Sequence, residues 1–533
     1  MTKETLLDYD ELPYSDCPIT VSRPDNLYFI GRLFQLQPAL PENSKVLELG
    51  CAGGGNLIPL AYYWPLSEFV GVELSQKQAE SANRLIEELQ LGNVKVVHAD
   101  LMALDQDFGQ FDYIIAHGVY SWVPPEVQQH LLKLCHLLLK PQGIAYISYN
   151  TLPGWGQRNM LRDMMRYHSR SATGAAEQLN KSLEFLQMLY QGLPEDGTMS
   201  ERWLREQARE LLNKPPNYVY HDYLEKHNTP VYFHEFARHA AQQRLKFFAE
   251  ASLYTMLSSS LTPVAESALD QFENPVDYEQ YMDFFYIKHF RQSLLCHDEL
   301  APQREIHVEA LKEGYFYAFL YCDDEIDLFS SSPQTFSSPS GEDYAVSHPL
   351  TKAALAELLV AYPNVYSFSE LESRAVNTVT EHGDSHYAAD SGELFSELMN
   401  LYLSGAVNVT SINRASNTEV GDSPKFNALT RAFCRHDKIS VASVHHDSVP
   451  LTRLQCRLIE LADGTRDLSQ IAAELRQALA EDDTLKAEYA HMLQIQPSQQ
   501  QQGVTIDLLA EHPIGAEFVE QAISYLAYHG LLD

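Results

Sequence analysis

The chain has 533 residues, which exceeds one ordinary domain and predicts several packed units, each large enough to bury a core of its own. Lysine and arginine total 38 against 72 aspartates and glutamates, so the formal charge of -34 disfavours phosphate backbones and we expect no nucleic-acid partner. The seven cysteines form no CxxC pair, which argues against a zinc cage or a disulfide framework and is typical of a reducing cytoplasm.

The N-terminal segment MTKETLLDYDELPY is acidic and lacks the basic end and apolar core of a signal peptide. Elsewhere no run approaches the roughly 18 apolar residues that a membrane span requires. We therefore expect a cytoplasmic protein that does not insert into a membrane.

Residues 45–150 alternate short β-rich runs with helical patterns. The runs are KVLELG, EFVGVEL, VKVVHAD, FDYIIAHG and GIAYISYN. Residues 57–63, 76–89 and 126–139 carry apolar side chains at helical spacing, and the last segment closes at the turn KPQGI. This succession of strand–helix units predicts an α/β, Rossmann-like fold with a doubly wound, mainly parallel sheet.

The pattern changes after Asn150, because apolar residues such as Met160, Met164, Leu179 and Leu186 recur at helical steps without strands between them. We interpret residues 156–220 as a helical insertion within the α/β domain. It has more apolar positions than a surface excursion should expose, so we expect it to mediate a homodimer. Residues 221–328 then supply the end of the core sheet, in HEFARHAAQQRLKFFAEASL, and a middle domain.

Residues 329–343 are rich in serine and proline, and we interpret them as a linker or an exposed loop. Two helix–turn–helix patterns follow, at residues 349–376 and 451–479. The helix after the turn DGTRD offers mainly Arg476, whereas a DNA-reading helix needs several basic or amide residues on one face. We therefore expect residues 344–533 to form winged-helix-like interaction modules, with a polar loop at SQQQQG, residues 498–503.

The segment VLELGCAGGGN, residues 46–56, joins an apolar strand to a glycine-rich turn that opens a helix. Glycines there let the backbone approach a ligand closely. Gly50, Ala52 and Gly55 also match the dinucleotide-binding fingerprint loosely. The glycines alone therefore do not separate a dinucleotide from other adenosine cofactors.

Acidic residues at three strand ends favour S-adenosylmethionine. Glu48 precedes the first glycine, where it would repel a pyrophosphate but suits the cationic amino group of a methionyl end. Glu73 ends the second strand, where a carboxylate can accept both ribose hydroxyls, and Asp100 ends the third, where it can accept from an adenine amino group. One such acid is often a solvated strand end, but three together point at the crevice where these sheets bind ligands.

The stretch HGVYSW, residues 117–122, follows the fourth strand. Methyl transfer is an in-line displacement at a sulfonium, and aromatic faces hold a cation or a sulfonium methyl well. Tyr120, Trp122, Tyr149 and Trp155 are candidate walls, although each is equally well explained as a packing aromatic. His117 is a candidate for assisting proton release.

We expect no metal, since the histidines of HEFARH, residues 234–239, are spaced so that they do not share a helix face as zinc ligands do. Cys51 and Cys135 have no paired base in their sequence context, so nucleophilic catalysis has no support.

These motifs resemble class I S-adenosylmethionine-dependent methyltransferases with a methyltransferase regulatory domain, a group that includes protein-lysine methyltransferases acting on bacterial outer-membrane proteins. The similarity is dense to about residue 165, patchy to about 320 and weak beyond, and Ala52 stands where the class usually has glycine. The segments that carry it are YDELPYSDCPIT, PDNLYFIGRLF, VLELGCAGGGNLIPLA, FDYIIAHGVYSWVPPEV, ISYNTLPGW and YFHEFARHAAQQRLKFFAEA.

The resemblance implies that residues 1–155 bind S-adenosylmethionine and carry an N-terminal lid with Tyr14 and Pro18. It implies a cofactor site in which the methionyl end is lined by Gly50, Ala52, Gly53 and Asn56, the ribose by Glu73 with Leu74, and the adenine by Asp100 with Leu101. The acceptor atom is addressed by the residues after the fourth strand, namely His117, Gly118, Val119, Tyr120 and Trp122. The family's fold adds a dimerisation element, a middle domain and a variable C-terminal domain.

Three functions remain open on these grounds. The leading hypothesis is methyl transfer to lysine side chains of proteins, which a groove open to a protein substrate would favour. A closed, apolar pocket would favour a small-molecule acceptor. A cofactor-binding scaffold without activity is the third, and the aromatic stretch HGVYSW argues against it.

Overall fold

The structure of the chain is a computed structural model that describes residues 16–258, 260–438, 440–492 and 514–533. Tyr14 and the predicted polar loop at residues 498–503 lie outside these residues. Among the described residues, none of the helices combines the length and the apolar composition that crossing a bilayer requires.

A seven-stranded sheet forms the centre of the molecule. Its strands are β1 (Lys45–Leu49), β2 (Glu68–Glu73), β3 (Val94–His98), β4 (Phe111–Ala116), β5 (Leu139–Asn150), β6 (Leu245–Glu250) and β7 (Phe290–His297). They are ordered β3-β2-β1-β4-β5-β7-β6. Strands β1 to β5 pair in parallel, and β7 runs antiparallel to both β5 and β6. The predicted Rossmann-like, mainly parallel sheet is confirmed.

Helices cover both faces of this sheet, which explains why its strands are almost continuously apolar. Helix α1 (Pro24–Leu33) precedes β1, and α2 (Leu57–Tyr63), α3 (Gln76–Glu88) and α4 (Pro125–Leu138) lie between the strands that follow. Val46 of β1 packs into the core that contains α1, α2 and α3, whereas its neighbour Leu47 faces the core that contains Leu131 and Leu138 of α4. Successive strand residues thus alternate between two buried cores.

Two details of the sheet differ from the sequence expectation. The predicted turn KPQGI lies within β5, where the pairing of β4 with β5 shifts register between Phe111 and Tyr113. Strand β7 was not predicted, because polar residues such as Arg291 and Gln292 interrupt its sequence FRQSLLCH. Arg291 is nevertheless 0% exposed, since it pairs with buried carboxylates rather than with water.

The helical insertion lies between β5 and β6 and has a core of its own. Its helices are α5 (Gly154–His168), α6 (Ala175–Gly192), α7 (Met199–Leu212) and α8 (Pro216–Tyr223). Leu161, Met165, Leu179 and Leu186 pack together there. The chain then returns to the sheet through α9 (Phe233–Gln242), α10 (Pro263–Leu269) and α11 (Pro275–Tyr286), so the insertion interrupts the α/β domain as predicted.

The C-terminal part is helical with short strands. Its helices are α12 (Pro349–Ala361), α13 (Phe368–His382), α14 (Ser391–Ser404), α15 (Ala428–Arg435), α16 (Arg453–Leu461), α17 (Leu468–Glu481), α18 (Asp483–Met492) and α19 (Ala516–Ala527). Its strands are β8 (Tyr315–Tyr317), β9 (Gln334–Ser337), β10 (Asp343–Val346), β11 (Tyr366–Ser367), β12 (Asn408–Thr410), β13 (Ser440–Ala442) and β14 (Ser448–Pro450). Strands β8, β11 and β12 form a three-stranded sheet, and β13 pairs with β14.

The interpretation of residues 329–343 as a linker or loop was wrong for part of the stretch. Strands β9 and β10 pair there as an antiparallel hairpin. Phe336 of β9 is 0% exposed and packs in the main core. This contact anchors the segment, although its serines and prolines indicated no contact with a core.

Candidate functional site

A cavity of about 430 Å³ lies at the carboxyl ends of β1 to β4. This is the edge at which doubly wound sheets bind ligands. The structure brings most of the predicted site residues together in its wall, namely Glu48, Gly50, Ala52, Asn56, Glu73, Leu74, Asp100, Leu101, His117, Gly118, Val119 and Trp122.

The turn after β1 follows a backbone path that requires small residues. Gly50 has a φ of +77°, and a Cβ placed on it would lie 2.7 Å from Cγ2 of Val119. Ala52 also lies in the left-handed region, at a φ of +48°, which is where the class usually has glycine. The tight turn therefore brings the predicted cofactor segment against the segment that follows β4.

Glu48 presents a buried carboxylate to the cavity. Its Oε1 accepts a hydrogen bond from Nδ2 of Asn56 at 3.1 Å, whereas its Oε2 is buried without a partner among the described residues. Burial raises the pKa of Glu48 from 4.5 to about 8, and the carboxylates of Asp16 and Glu73 act in the same direction. A cationic ligand group would satisfy the unpaired oxygen and restore the charged form.

Glu73 holds the glycine turn as well as lining the cavity. Its Oε2 accepts from the backbone N–H of Ala52 at 2.9 Å, and its Oε1 accepts from that of Ser75 at 2.8 Å. Burial raises the pKa of Glu73, and these backbone donors oppose the shift. The carboxylate, which also accepts from the backbone of Leu74, keeps acceptor capacity for a hydroxyl donor.

Asp100 and Leu101 lie at the rim of the cavity, after β3. Asp100 is exposed, and its Oδ1 accepts from the backbone N–H of Met102 at 2.9 Å. This bond fixes the short helical turn that presents Leu101 to the cavity.

His117 lines the cavity just after β4. Its Nδ1 lies 2.8 Å from the hydroxyl of Tyr146, and the two rings are stacked. Burial lowers the pKa of His117 to about 4, so the imidazole is neutral near pH 7 and a weak proton acceptor.

Tyr120 does not line the cavity, and its prediction as an acceptor-site residue is corrected. A single helical turn, Tyr120–Trp122, points Tyr120 into the core, where it is 0% exposed and packs edge-on against Phe236. Its hydroxyl lies 2.8 Å from Nδ1 of His239. Tyr149 is likewise a core residue, stacked on Phe236.

Two residues assigned to the cofactor through the resemblance also lie outside the cavity wall. Gly53 is covered by Asp16 and Lys438, whose side-chain atoms would lie 2.6 and 2.7 Å from a Cβ at that position. Pro18 is buried, and its neighbours Asp16, Cys17 and Ile19 line the cavity instead.

The far side of the cavity is built by residues that sequence reasoning missed. They come from the insertion and from the start of β7, and comprise Arg158, Tyr218, His221, Asp222, His289 and Phe290. Three of these lie on one face of α8, in the segment PNYVYHDY, at a spacing that was a usable signal. Trp155, which we had considered as an aromatic wall, lines the same side and meets Trp122 edge to face at 6.3 Å.

Asp222 is the acidic group of this far side. Burial raises its pKa from 3.8 to about 6, while a hydrogen bond from Tyr218 and the nearby Arg158 favour the charged form. The cavity thus has acidic groups at both ends and two indole rings near the second.

Three family models match separate parts of the chain. A methyltransferase domain matches residues 46–143, a predicted methyltransferase regulatory domain matches residues 215–297, and the C-terminal winged helix domain of PKMT matches residues 422–531. The chain is also 34% identical over 470 residues to the uncharacterized protein RP789 of Rickettsia prowazekii (strain Madrid E), which covers 87% of this chain and 84% of the relative. The chain belongs to this family of methyltransferases.

Solved structures of the family support this assignment. The structure of PKMT2 from Rickettsia typhi matches this methyltransferase with a TM-score of 0.81 at 27% identity, over 98% of this chain and 100% of that one. The same protein in complex with AdoHcy gives a TM-score of 0.80. The family likeness therefore reaches the C-terminal part, where we had judged the similarity weak, and S-adenosylmethionine is the cofactor of this enzyme.

Proposed function

We propose that this methyltransferase methylates lysine side chains of proteins, with surface or outer-membrane proteins as the substrate class. The observation that carries the proposal is the far side of the cavity, where the carboxyl of Asp222 lies with Trp122 and Trp155. A carboxylate pairs with an ammonium, and indole faces attract one. The resemblance to lysine methyltransferases of outer-membrane proteins supports the substrate class.

For the cofactor, we propose that Glu48 binds the methionyl ammonium through Oε2, which no described residue contacts by a hydrogen bond. Glu73 accepts from the ribose hydroxyls with its remaining lone pairs, and Asp100 with Leu101 binds the adenine. Gly50, Ala52 and Asn56 line the methionyl end, and Leu74 lies beside the ribose. The acids therefore serve the polar ends of the cofactor, which leaves its reactive end to face the segment after β4.

The acceptor must lose a proton before it can react. A lysine with an unperturbed pKa of about 10.4 is neutral about once in 2,500 at pH 7, a cost near 4.6 kcal/mol. Desolvation between Trp122 and Trp155 lowers the pKa of a lysine, and burial has already raised that of Asp222 to about 6. Both shifts reduce the difference in pKa between the lysine amine and the Asp222 carboxylate, and so lower the cost of transferring the proton from one to the other.

When bound, S-adenosylmethionine would supply an electrophilic methyl carbon on a sulfonium, with the thioether as the leaving group, to the neutral amine. The protein contributes alignment, exclusion of water and the proton acceptor. We assign the proton to Asp222 rather than to His117, because a pKa of about 4 makes His117 the weaker base.

Transfer of labelled methyl groups tests the lysine assignment. The purified enzyme is incubated with methyl-labelled cofactor, bacterial surface proteins and a metabolite extract. We expect label in protein, released as methylated lysines on hydrolysis, abolished in Glu73→Ala and reduced in Trp122→Ala. Label only in metabolites, or on carboxylate or amide side chains, would refute lysine while leaving methyl transfer intact.

We further propose a homodimer formed through the insertion. Most apolar residues of the insertion pack on one another, but Met160, Met188 and Met199 are 41%, 60% and 80% exposed. Light scattering at micromolar concentration should give twice the chain mass, and a monomer with the insertion intact would reject the proposal.

We also propose a cytoplasmic location, on the ground that all seven cysteines are free. Cell fractionation should find the protein with soluble cytoplasmic markers, and recovery with the periplasm would contradict it.

A further inference from the structure

The C-terminal winged-helix domain reaches the glycine turn of the cofactor site through two side chains. Lys438 donates to Oδ1 and Oδ2 of Asp16, both at 2.8 Å, and Asp16 in turn accepts from the backbone N–H of Gly55 at 2.9 Å. Nε2 of His446 lies 2.7 Å from Oδ1 of Asn56. Both residues fall within residues 422–531, which the PKMT winged-helix model matches.

The amide of Asn56 is saturated, and its orientation is therefore fixed. Its Oδ1 accepts from the backbone N–H of Ile19 at 2.9 Å and from His446. Its Nδ2 donates to Oγ of Ser22 at 3.2 Å and to Oε1 of Glu48 at 3.1 Å. With both acceptor positions of the oxygen used, the nitrogen can only face Glu48.

The hydrogen bond to Asn56 accounts for the buried position of the His446 side chain. Because an amide oxygen carries no hydrogen, Nε2 of His446 must be the donor, and its Nδ1 is buried without a partner among the described residues. The side chain is 0% exposed, and the residue has a φ of +64°. A buried imidazole on a left-handed backbone is costly, and such features persist where the surroundings hold them in place.

We propose that His446 and Lys438 are positioning residues of the cofactor site, so that the C-terminal domain orders the methionyl end from outside it. His446 fixes the Asn56 amide, which holds one oxygen of Glu48 and leaves the other for the methionyl ammonium. Lys438 holds Asp16 over the glycine turn. The inference rests on the proposed role of Glu48 in cofactor binding, and it assigns to the C-terminal domain a part in positioning that residue.

Because binding and domain attachment share these bonds, the coupling is reciprocal. Cofactor that favours this arrangement also tightens the attachment of the domain. This domain, whose described residues are all absent from the cavity wall, thereby controls how well the cofactor binds.

Calorimetric titration with S-adenosylhomocysteine tests this on the full chain, independently of activity. We expect His446→Leu to weaken binding about tenfold, and His446→Gln, whose amide nitrogen can still donate, to restore most of the loss. Lys438→Met should weaken binding several-fold. Lys425→Met is the matched control, because Lys425 of the same domain forms an exposed ion pair with Asp533, and this variant should bind as the parent chain does.

A double-mutant cycle separates positioning from a general loss of structure. If His446 acts through Asn56, then Asn56→Ala and His446→Leu together weaken binding much less than the product of their separate effects. Independent, multiplicative effects would overturn the proposal, as would parent-like binding in both His446→Leu and Lys438→Met. If His446→Leu does not fold, Lys438→Met and His446→Gln against the Lys425→Met control decide the question.

Failure of the underlying assignment would look different. Parent-like binding in Glu48→Gln refutes the role of Glu48 itself. Weak binding in Glu48→Gln beside parent-like binding in the His446 and Lys438 variants refutes only the contribution of the C-terminal domain.

Discussion

Asn56 donates to one oxygen of Glu48 over 3.1 Å, while the other oxygen of that carboxylate is buried without a partner in the described part of the chain. The enzyme thus keeps a desolvated acid, with a pKa raised to about 8, at the end of the cavity that we assign to the methionyl ammonium. A buried carboxylate is stabilised more by a cationic ligand than a solvated carboxylate is.

Cofactor affinity should therefore rise with pH between about 6 and 8, because the ammonium favours the charged form of Glu48 and binding releases its proton. Calorimetry in buffers of different ionisation enthalpy measures the number of protons that are released on binding. Glu48→Gln should bind at least about tenfold more weakly, the equivalent of roughly 1.4 kcal/mol, and should lose this pH dependence. An unaltered pH profile in the variant would count against the assignment.

The same group makes the ligand-free protein less stable as pH rises. The folded-state pKa of Glu48 lies above its ordinary value of 4.5, so its contribution to stability is complete below pH 4.5 and is lost as the pH rises towards about 8. Thermal unfolding should show the stability of Glu48→Gln relative to the parent increasing over this range, and a constant difference would contradict the shift.

Glu73→Ala should lower cofactor affinity by at least about tenfold, because it removes the proposed ribose acceptor and the contacts that hold Ala52 and Ser75. Glu73→Gln keeps the volume and should also bind weakly. Glu68→Ala, at the exposed start of the same strand, is the control and should bind normally. Undiminished affinity in Glu73→Ala would refute the ribose assignment.

Asp222→Asn should raise KM for the lysine acceptor and lower kcat, together by at least about tenfold in kcat/KM, while leaving cofactor affinity unchanged. In the parent enzyme the rate should fall below pH of about 6, as Asp222 takes up a proton and stops accepting one, and the variant should lack that limb. Asp163→Asn, exposed on α5, serves as the control. Parent-like steady-state kinetics in Asp222→Asn would remove Asp222 from the mechanism.

Arg291 links β6, β7 and α11 through buried bonds to Glu250, Asp283 and Glu279, at 2.8, 2.8 and 3.0 Å. Arg291→Met should lower the free energy of unfolding by about 3–5 kcal/mol, because it strands buried carboxylates. Arg244→Met, which breaks an exposed pair just before the start of β6, should cost less than about 1 kcal/mol. Denaturant unfolding compares the two, and equal losses would show that the buried cluster is not stabilising.

The strands β1 to β5 and the acids at their ends were predictable because both are local. Glu48, Glu73 and Asp100 each follow or end an apolar run, and the parallel order of the strands brings them to one edge of the sheet. The sign of charge, rather than the glycines, pointed to the cofactor.

The acceptor side depended on contacts distant in the chain. Tyr120 and Trp122 are both aromatic and both follow β4, so the sequence does not distinguish their roles. Tyr120 points inward because it packs on Phe236, which belongs to a helix far along the chain. Asp222 belongs to the insertion and His446 to the C-terminal domain. The helical spacing of Asp222 marks the face of α8 on which it lies, but no local pattern reveals that this face lines the cavity or that His446 contacts Asn56.

The most direct test of lysine methylation by this site is a crystal structure of the enzyme with S-adenosylhomocysteine and a lysine-containing peptide from a protein that it methylates. The account predicts the lysine nitrogen between Trp122 and Trp155, within hydrogen-bond distance of the Asp222 carboxylate and in line with the sulfur. A lysine bound elsewhere, or a peptide that reaches the sulfur with a different side chain, would contradict it.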